Sequence, residues 1–524
     1  MSHNLNKQSI ISKAMHVGGL TIVSRMLGIV REILQANFLG VGIMSDAFIT
    51  AFRIPNFLRK VFAEGAVTSS FVPHIVGLTK FGKKKAAATL MTLAFIVFEG
   101  TVLILCVGVF LWPNAIIKFM APGFGEQQVA HAIPMLRIMF PFIFFISSCA
   151  LFSGALQAVN HFLIPALGPV LLNIVFISTL LLCIKFKFSP LVLCAGVLVG
   201  GATKLIARII AFWWEGLSFG PINREGFKDL AIVLKRFMPC LLSAGIVEIN
   251  LFIDSMIGSY LPRGGITLLY YAYRFLLMPI SIFSLALSTV LLPHYSRVAL
   301  YAKKRLSFYM LETTKVVLWM TRPAALYLAY SAEPIFSTLM LRGRGTPDQI
   351  SMAAMLLIIF TTSLPFLCVN RTLLSMYYAL HDTWTPTWVT IIATVSNGIG
   401  NVIGIHLWGA QGIAISTVVS GLITTGLFVT LLHKKHKIIL YPGNVGKFLS
   451  KYLLQVALGT AAFLVLHKSS LALVAKTPLH NFFLHDLGYW IISLPLFAGV
   501  MGILLLTRKW FGIAPYFLDH SKVQ

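Results

Sequence analysis

Runs of about twenty predominantly apolar residues follow one another along nearly the whole chain, separated by short polar loops. Each is long enough to cross a hydrocarbon core of about 30 Å as a helix. Lipid offers no partner to a backbone N–H or C=O, so every crossing has to satisfy its own main chain, as helices or as a closed barrel. Barrel strands would read as segments of about ten residues with alternating polarity. Continuous apolar runs, in a chain with a mean hydropathy of +0.85, read as helices. The expectation is an all-α polytopic membrane protein with about fourteen spans. They fall near 14–40, 45–79, 86–112, 128–159, 162–184, 189–213, 230–261, 266–300, 306–333, 350–380, 385–407, 411–432, 447–467 and 487–507.

A net charge of +26 over 524 residues would suit a nucleic-acid partner, but its distribution does not. No basic stripe alternates with aromatics, and the basic residues gather between and at the ends of the apolar runs. Placing the N-terminus in the cytoplasm puts 22 lysines and arginines on the cytoplasmic side and 8 on the other. This asymmetry predicts a multi-pass membrane protein with both termini cytoplasmic. The opening "MSHNLNKQSIISKAMHVGG" lacks the short apolar core of a signal peptide. The six cysteines lie in or beside apolar runs with no CxxC spacing, so they read as small core residues.

The chain repeats itself. "AFR" at 51–53, "PH" at 73–74 and "KKK" at 83–85 are matched by "AYR" at 272–274, "PH" at 293–294 and "KKR" at 303–305. A weaker echo links "FPF" (140–142) and Pro165 with "LPF" (364–366) and Pro386. The offset, about 220 residues, is six spans, so both copies keep the same orientation. Two parallel six-helix lobes, 1–215 and 216–440, around a central cationic cavity are expected, a frequent transporter plan. Residues 441–524 add helices 13 and 14 and a cytoplasmic tail.

Charges sit inside these spans, where each costs at least about 2.5 kcal/mol. In span 1, Arg25 and Glu32 are two turns apart and share a face, while Arg31 points away by about 120°. In span 2, Pro55 and Gly65 argue against a continuous ideal helix, and Pro55 favours a kink. Arg25, Arg31, Arg53, Arg59, Lys60 and Arg274 stand against Glu32, Asp46 and Glu64. Pairing Arg25 or Arg31 with Asp46, and Lys60 with Glu64, still leaves three positive charges over. An anion would satisfy them, and the planar fork of arginine suits phosphate oxygens.

"SRMLGIVRE", "SDAFITAFRIPNFLRKVFAEGAVTSSFVP" and "YYAYRFLLMP" resemble the signature segments of the MurJ (MviN) family of the multidrug/oligosaccharidyl-lipid/polysaccharide exporter superfamily. The resemblance implies a flippase that moves lipid II, the undecaprenyl-diphosphate-linked disaccharide-pentapeptide of peptidoglycan, to the outer leaflet by alternating access. It implies a transporter of the bacterial inner membrane, not an enzyme, serving cell-wall synthesis and cell shape, with membrane lipids and cell-wall synthesis proteins as further partners and no nucleic acid. It assigns Arg25, Arg31, Asp46, Arg53, Arg59 and Arg274 to the diphosphate cavity, with Glu32 and Glu64 as gating or charge-balancing groups. Tyr273 and Leu277 stand where relatives often carry acids, so this cavity is more basic. Spans 13 and 14, read here as apolar, would line the groove for the prenyl tail.

Asp254 in span 7, Asn397 and Asn401 in span 11, and Thr417 in span 12 offer oxygen ligands. The resemblance makes them a candidate sodium site; hydrogen bonding between helices is the other reading. No cofactor is otherwise required, and no Walker, HExxH or glycosyltransferase motif is present. The alternatives are another lipid-linked oligosaccharide or drug exporter of the superfamily, or a membrane-embedded polyprenyl-sugar transferase. Cationic drugs would call for an acidic cavity, and a transferase for a large external loop.

Overall fold

Every apolar run coincides with a helix. The computed structural model describes residues 7–340, 345–439, 441–474 and 487–513; the side chains of 7–17, Glu64, 242–244, 246–247, 285–286, 289–290, Lys303, Pro442 and Leu487 fall outside the description. No strand occurs among the described residues, and the chain divides into two compact units, Met1–Ile266 and Thr267–Gln524. Packing therefore divides the chain at 266/267, whereas the sequence repeat divides it at 215/216. The difference is span 7, which packs on the helices of spans 2 and 3. Eleven helices among the described residues are long and apolar enough to cross a membrane. The three remaining expected spans, 1, 7 and 9, are helices of 33, 35 and 25 residues that carry ionisable side chains.

The first unit runs α1 (Lys7–Leu39), α2 (Ile43–Leu58), a π segment (Arg59–Val67), α3 (Thr68–Lys80), α4 (Lys84–Leu111), α5 (Pro113–Met120), α6 (Glu126–Met139), α7 (Phe142–Ala158), α8 (Leu163–Phe186), α9 (Pro190–Trp214) and α10 (Arg224–Gly258). Here α1 packs on α8, α2 on α6, and α7 on α3, α4 and α9. The second unit contains most of α11 (Gly265–Pro279), a second π segment (Ile280–Leu285), α12 (Ala286–Tyr301), α13 (Leu306–Tyr330), α14 (Ala332–Leu339), α15 (Pro347–Ala379), α16 (Trp384–Trp408), α17 (Ala410–His436), α18 (Pro442–Val474) and α19 (Leu487–Thr507). Its centre is α15, which packs on α12, α13, α14 and α17.

The repeat reaches local geometry. The π segments begin six residues after Arg53 and six after Arg274. Pro55 does not break span 2; the chain continues through it in α2 and then widens to π geometry, a form that accommodates disturbed i→i−4 bonding and is frequent at functional sites. The short helices α5 and α14 occupy corresponding places. Asn160 and His381 hold corresponding left-handed turns, with φ of 63° and 56°. The next residue in each copy reaches the end of a later helix, with the partners exchanged: His161 Nδ1 meets Glu215 at 2.7 Å, and Asp382 Oδ2 meets His436 Nε2 at 2.9 Å.

In lipid, helices gain little from apolar contact with each other; close backbone approach and interhelical hydrogen bonds hold them. The α16–α17 hairpin shows the first. A Cβ at Gly404 would lie 2.7 Å from the Gly412 carbonyl, and one at Gly412 would run into the Gly404 backbone. The second holds α18 and α19 against α13: both helices are apolar enough to cross a membrane, as expected, yet each carries a few buried polar groups. Trp319 Nε1 donates to Gln455 Oε1 (3.3 Å), Gln455 Nε2 to the Leu504 carbonyl (2.7 Å), and Tyr330 pairs with His467 (3.0 Å), Ser331 with Tyr489 (3.0 Å) and Tyr327 with Ser493 (3.1 Å). Neutral polar residues spaced this thinly barely lower the hydropathy of a run.

Gly412→Ala should therefore separate α16 from α17 and lower the thermal midpoint sharply, while Gly426→Ala on the same helix, with nothing within 4 Å, should be neutral or stabilising. Equal effects of the two substitutions would refute this account. Asp382 gives a pH-dependent test. Burial alone would raise its pKa, but hydrogen bonds from His436, Lys435 and Thr385 hold it well below the usual carboxylate range. A carboxylate depressed on folding stabilises above its unfolded pKa of about 4, and the contribution fades as pH falls through its folded value. Asp382→Asn should cost about 1–3 kcal/mol at neutral pH. The gap from wild type in thermal scans should narrow on acidification below about pH 4.

Candidate anion-binding site

The charged side chains of the first unit are held from two directions. On α1, Arg31 donates from Nη2 to Glu32 Oε1 (2.6 Å) and from Nη1 to Asn173 Oδ1 (3.2 Å), and its guanidinium lies 5.1 Å from the centre of the Phe176 ring. Asn173, on α8, is itself fixed by donating to the Ser24 carbonyl at 2.9 Å. Helical phase places Glu32 with Arg25; the structure gives it to its neighbour Arg31, whose long side chain spans the turn between their faces. Arg25 is exposed.

On α2, Asp46 is 1% exposed, and its Oδ2 accepts the backbone N–H of Gly264 at 2.6 Å. Gly264 has φ of 90° and sits against Val41, so the loop before α11 reaches the carboxylate through a conformation open to glycine. Asp46 therefore has a backbone contact that sequence spacing did not indicate. Arg53 Nη1 donates to the Leu251 carbonyl of α10 (3.3 Å). Arg59 Nε and Nη2 both donate to Asn56 Oδ1, at 3.0 and 2.8 Å. Lys60 grips Glu248 of α10, with Nζ at 3.1 and 2.8 Å from its two carboxylate oxygens. The Glu64 side chain lies outside the described residues.

Glu248 changes the balance drawn from sequence. Lys60 has a partner 188 residues along the chain, while its expected pairing with Glu64 falls outside the described residues. Adding this acid reduces the excess of positive charge from three to two. Glu248 was visible as an acid within an apolar run, the same signal that singled out Asp254. In the second unit, Arg274 is exposed on α11, six residues before the π segment.

Asn397 and Asn401 are fully buried on one face of α16. Asn401 donates to Asn397 (3.1 Å), Ser416 Oγ donates to the Asn397 carbonyl (2.8 Å), and Thr417 donates to the Ile413 carbonyl of its own helix (3.1 Å). Asp254 is half-buried on α10 of the first unit.

Long apolar helices in two compact units, with arginines set into them, are the plan of a multi-pass membrane protein. The fold is shared with an inward-facing multidrug resistance MATE family transporter of the MOP superfamily, with a TM-score of 0.66, 16% identity and coverage of 79% of this chain and 94% of that one. The family is narrower. The family described as lipid II flippase MurJ matches residues 35–483, and the chain belongs to it. A solved lipid II flippase MurJ in an inward closed conformation matches with a TM-score of 0.76 and 26% identity, over 94% of this chain and 99% of its own. A probable lipid II flippase MurJ of Vibrio cholerae serotype O1 is 32% identical, over 83% of this chain and 84% of the relative. Its Haemophilus influenzae counterpart is 29% identical over 94% and 99%. The protein is thus a multi-pass bacterial membrane transporter rather than an enzyme, as the signature segments implied.

The Lys60–Glu248 pair should show coupling in a double-mutant cycle. Lys60→Ala and Glu248→Ala together should cost less than the sum of the two, by about 0.5–1 kcal/mol for a partly exposed pair. Strict additivity of the thermal stabilities would show that the contact contributes nothing.

Proposed function

We propose that the protein carries lipid II from the inner to the outer leaflet of the cytoplasmic membrane by holding its diphosphate on Arg25, Arg31, Arg53 and Arg59. Arg274 is the corresponding cation of the second half. The site is exposed to the two sides of the membrane in turn while the prenyl tail stays in lipid. The supporting observation is the placement of arginines, in excess over acids, within membrane-spanning helices of a flippase family member. Fourteen crossings with cytoplasmic termini complete the reading.

The contacts around each arginine suit exchange. Both terminal nitrogens of Arg31 are occupied, by Glu32 and Asn173. A phosphate oxygen would displace the Glu32 carboxylate there, and Glu32 would reclaim the guanidinium on release. Arg53 and Arg59 donate to neutral oxygens, which a charged phosphate outcompetes because charge-assisted bonds are about twice as strong. Asp46 anchors the loop before α11 and so holds the start of α2.

Alanine at Arg25, Arg31, Arg59 or Arg274 should abolish growth complementation without preventing insertion. Each should weaken lipid II binding about ten- to a hundredfold, the loss of one charge-assisted hydrogen bond of about 1.5–3 kcal/mol. Lysine should restore function only in part, because it lacks the fork. Glu32→Gln should tighten binding while slowing transport. Native mass spectrometry with lipid II, beside complementation, reads both; intact binding and growth in all four alanine variants would remove the diphosphate assignment.

A further inference from the structure

Glu99 sits near the middle of α4, about 22 Å along the helix from Lys84 and about 18 Å from Leu111. It is 2% exposed, and neither carboxylate oxygen has a hydrogen-bond partner among the described residues. Ser147 and Ser148 of α7 are fully buried, and their hydroxyls are equally unpartnered. Both hydroxyls interact with the Glu99 carboxylate without closing a hydrogen bond to it. Four oxygens thus converge deep inside the first unit, on helices that carry none of the arginines already described.

Among the described residues, no cation hydrogen-bonds to this carboxylate. Cys106 on α4 and Cys149 on α7 feel its charge. Lys204 and Arg208 of α9 act on Cys149, and the Arg208 guanidinium is taken up by Ser153 and the carbonyls of Lys204 and Pro165. On the other helices against α4, His74 of α3 and Asp229 of α10 pair with each other at 2.9 Å, while Lys118, Lys228, Lys235 and Arg236 are exposed. Toward α10 the wall is aromatic: Phe98, beside Glu99, packs with Phe237 at 5.0 Å and Phe62 at 5.9 Å.

We propose that Glu99, Ser147 and Ser148 form a binding site for a small monovalent cation, a proton or sodium, that neutralises the carboxylate. A bare carboxylate at this depth is expensive. A proton would let the carboxyl donate to one serine and accept from the other. Sodium would find four hard oxygens. Occupancy is linked to the anion site through Phe62, which lies in the π segment that also carries Arg59 and Lys60. This linkage rests on the flippase reading; the cation site itself does not. By reciprocity, a cation that changes lipid II affinity has its own affinity changed by the same factor.

The test uses the purified full-length protein as wild type, Glu99→Gln and Ser147→Ala/Ser148→Ala. Thermal midpoints are measured against sodium at fixed pH and ionic strength, and against pH without sodium; lipid II binding is measured under the same conditions. The wild type should respond to one variable, sodium or pH, which identifies the cation. Glu99→Gln should lose that response, and the serine pair should weaken it. Lipid II affinity should change by up to about tenfold per pH unit or per decade of sodium, and only when Glu99 is present. A wild-type response retained in Glu99→Gln, or absent from the wild type, overturns the site. If Glu99→Gln does not fold, an unchanged response in the serine variant overturns it instead. A cation response lost in Glu99→Gln, in a wild type that does not bind lipid II, upholds the site and removes the diphosphate reading.

Discussion

Inside a hydrocarbon slab an ionised group has to be answered, by an opposite charge, by dipoles or by a ligand. Much of this structure follows from how each charge meets that demand. Arg31 is answered by Glu32 and a well-anchored asparagine, Lys60 by Glu248, and Asp46 by a backbone N–H. Asn173, Glu248 and the Gly264 N–H each tie together segments distant in the chain. The α1–α8 and α2–α10 contacts are therefore polar seams in an apolar bundle.

Main-chain satisfaction made the helices legible. A crossing has one economical way to close its own hydrogen bonds, so long apolar runs identified the segments, even where Pro55 favoured a kink. The repeat was legible because proline, histidine and clustered lysines are scarce enough for their spacing to stand out. Partners were not legible. The helical phase that puts Arg25 and Glu32 on one face ignores the reach of the Arg31 side chain, and spacing along one helix cannot report Glu248 as a partner of Lys60. Glu248, Asn173 and the Gly264 N–H are brought in by tertiary packing, and no local spacing reports them. Ser147 and Ser148 escaped notice for a different reason: serines are ordinary in membrane helices, and only the convergence on Glu99 distinguishes them.

The two π segments show how a repeat can conserve an irregularity. Each follows its arginine by the same interval, and in the first unit the wider turn carries Arg59, Lys60 and Phe62 together. A stretch already relaxed from i→i−4 bonding can shift register at lower cost than a regular helix. The chain thus keeps its basic groups on the most adaptable turn of an otherwise stiff rod.

The exchanged partners at the ends of the two halves bear on how such a chain sorts itself during synthesis. His161 belongs with Glu215, and Asp382 with His436. Were the hairpins of one half to dock on the helix ends of the other, imidazole would face imidazole and carboxylate would face carboxylate. Such like-with-like contacts lack the charge complementarity of the matched ones, most clearly where two carboxylates would meet. Two halves similar enough to be confused are given opposite polarities at one corresponding point, so the nascent chain can tell its first half from its second.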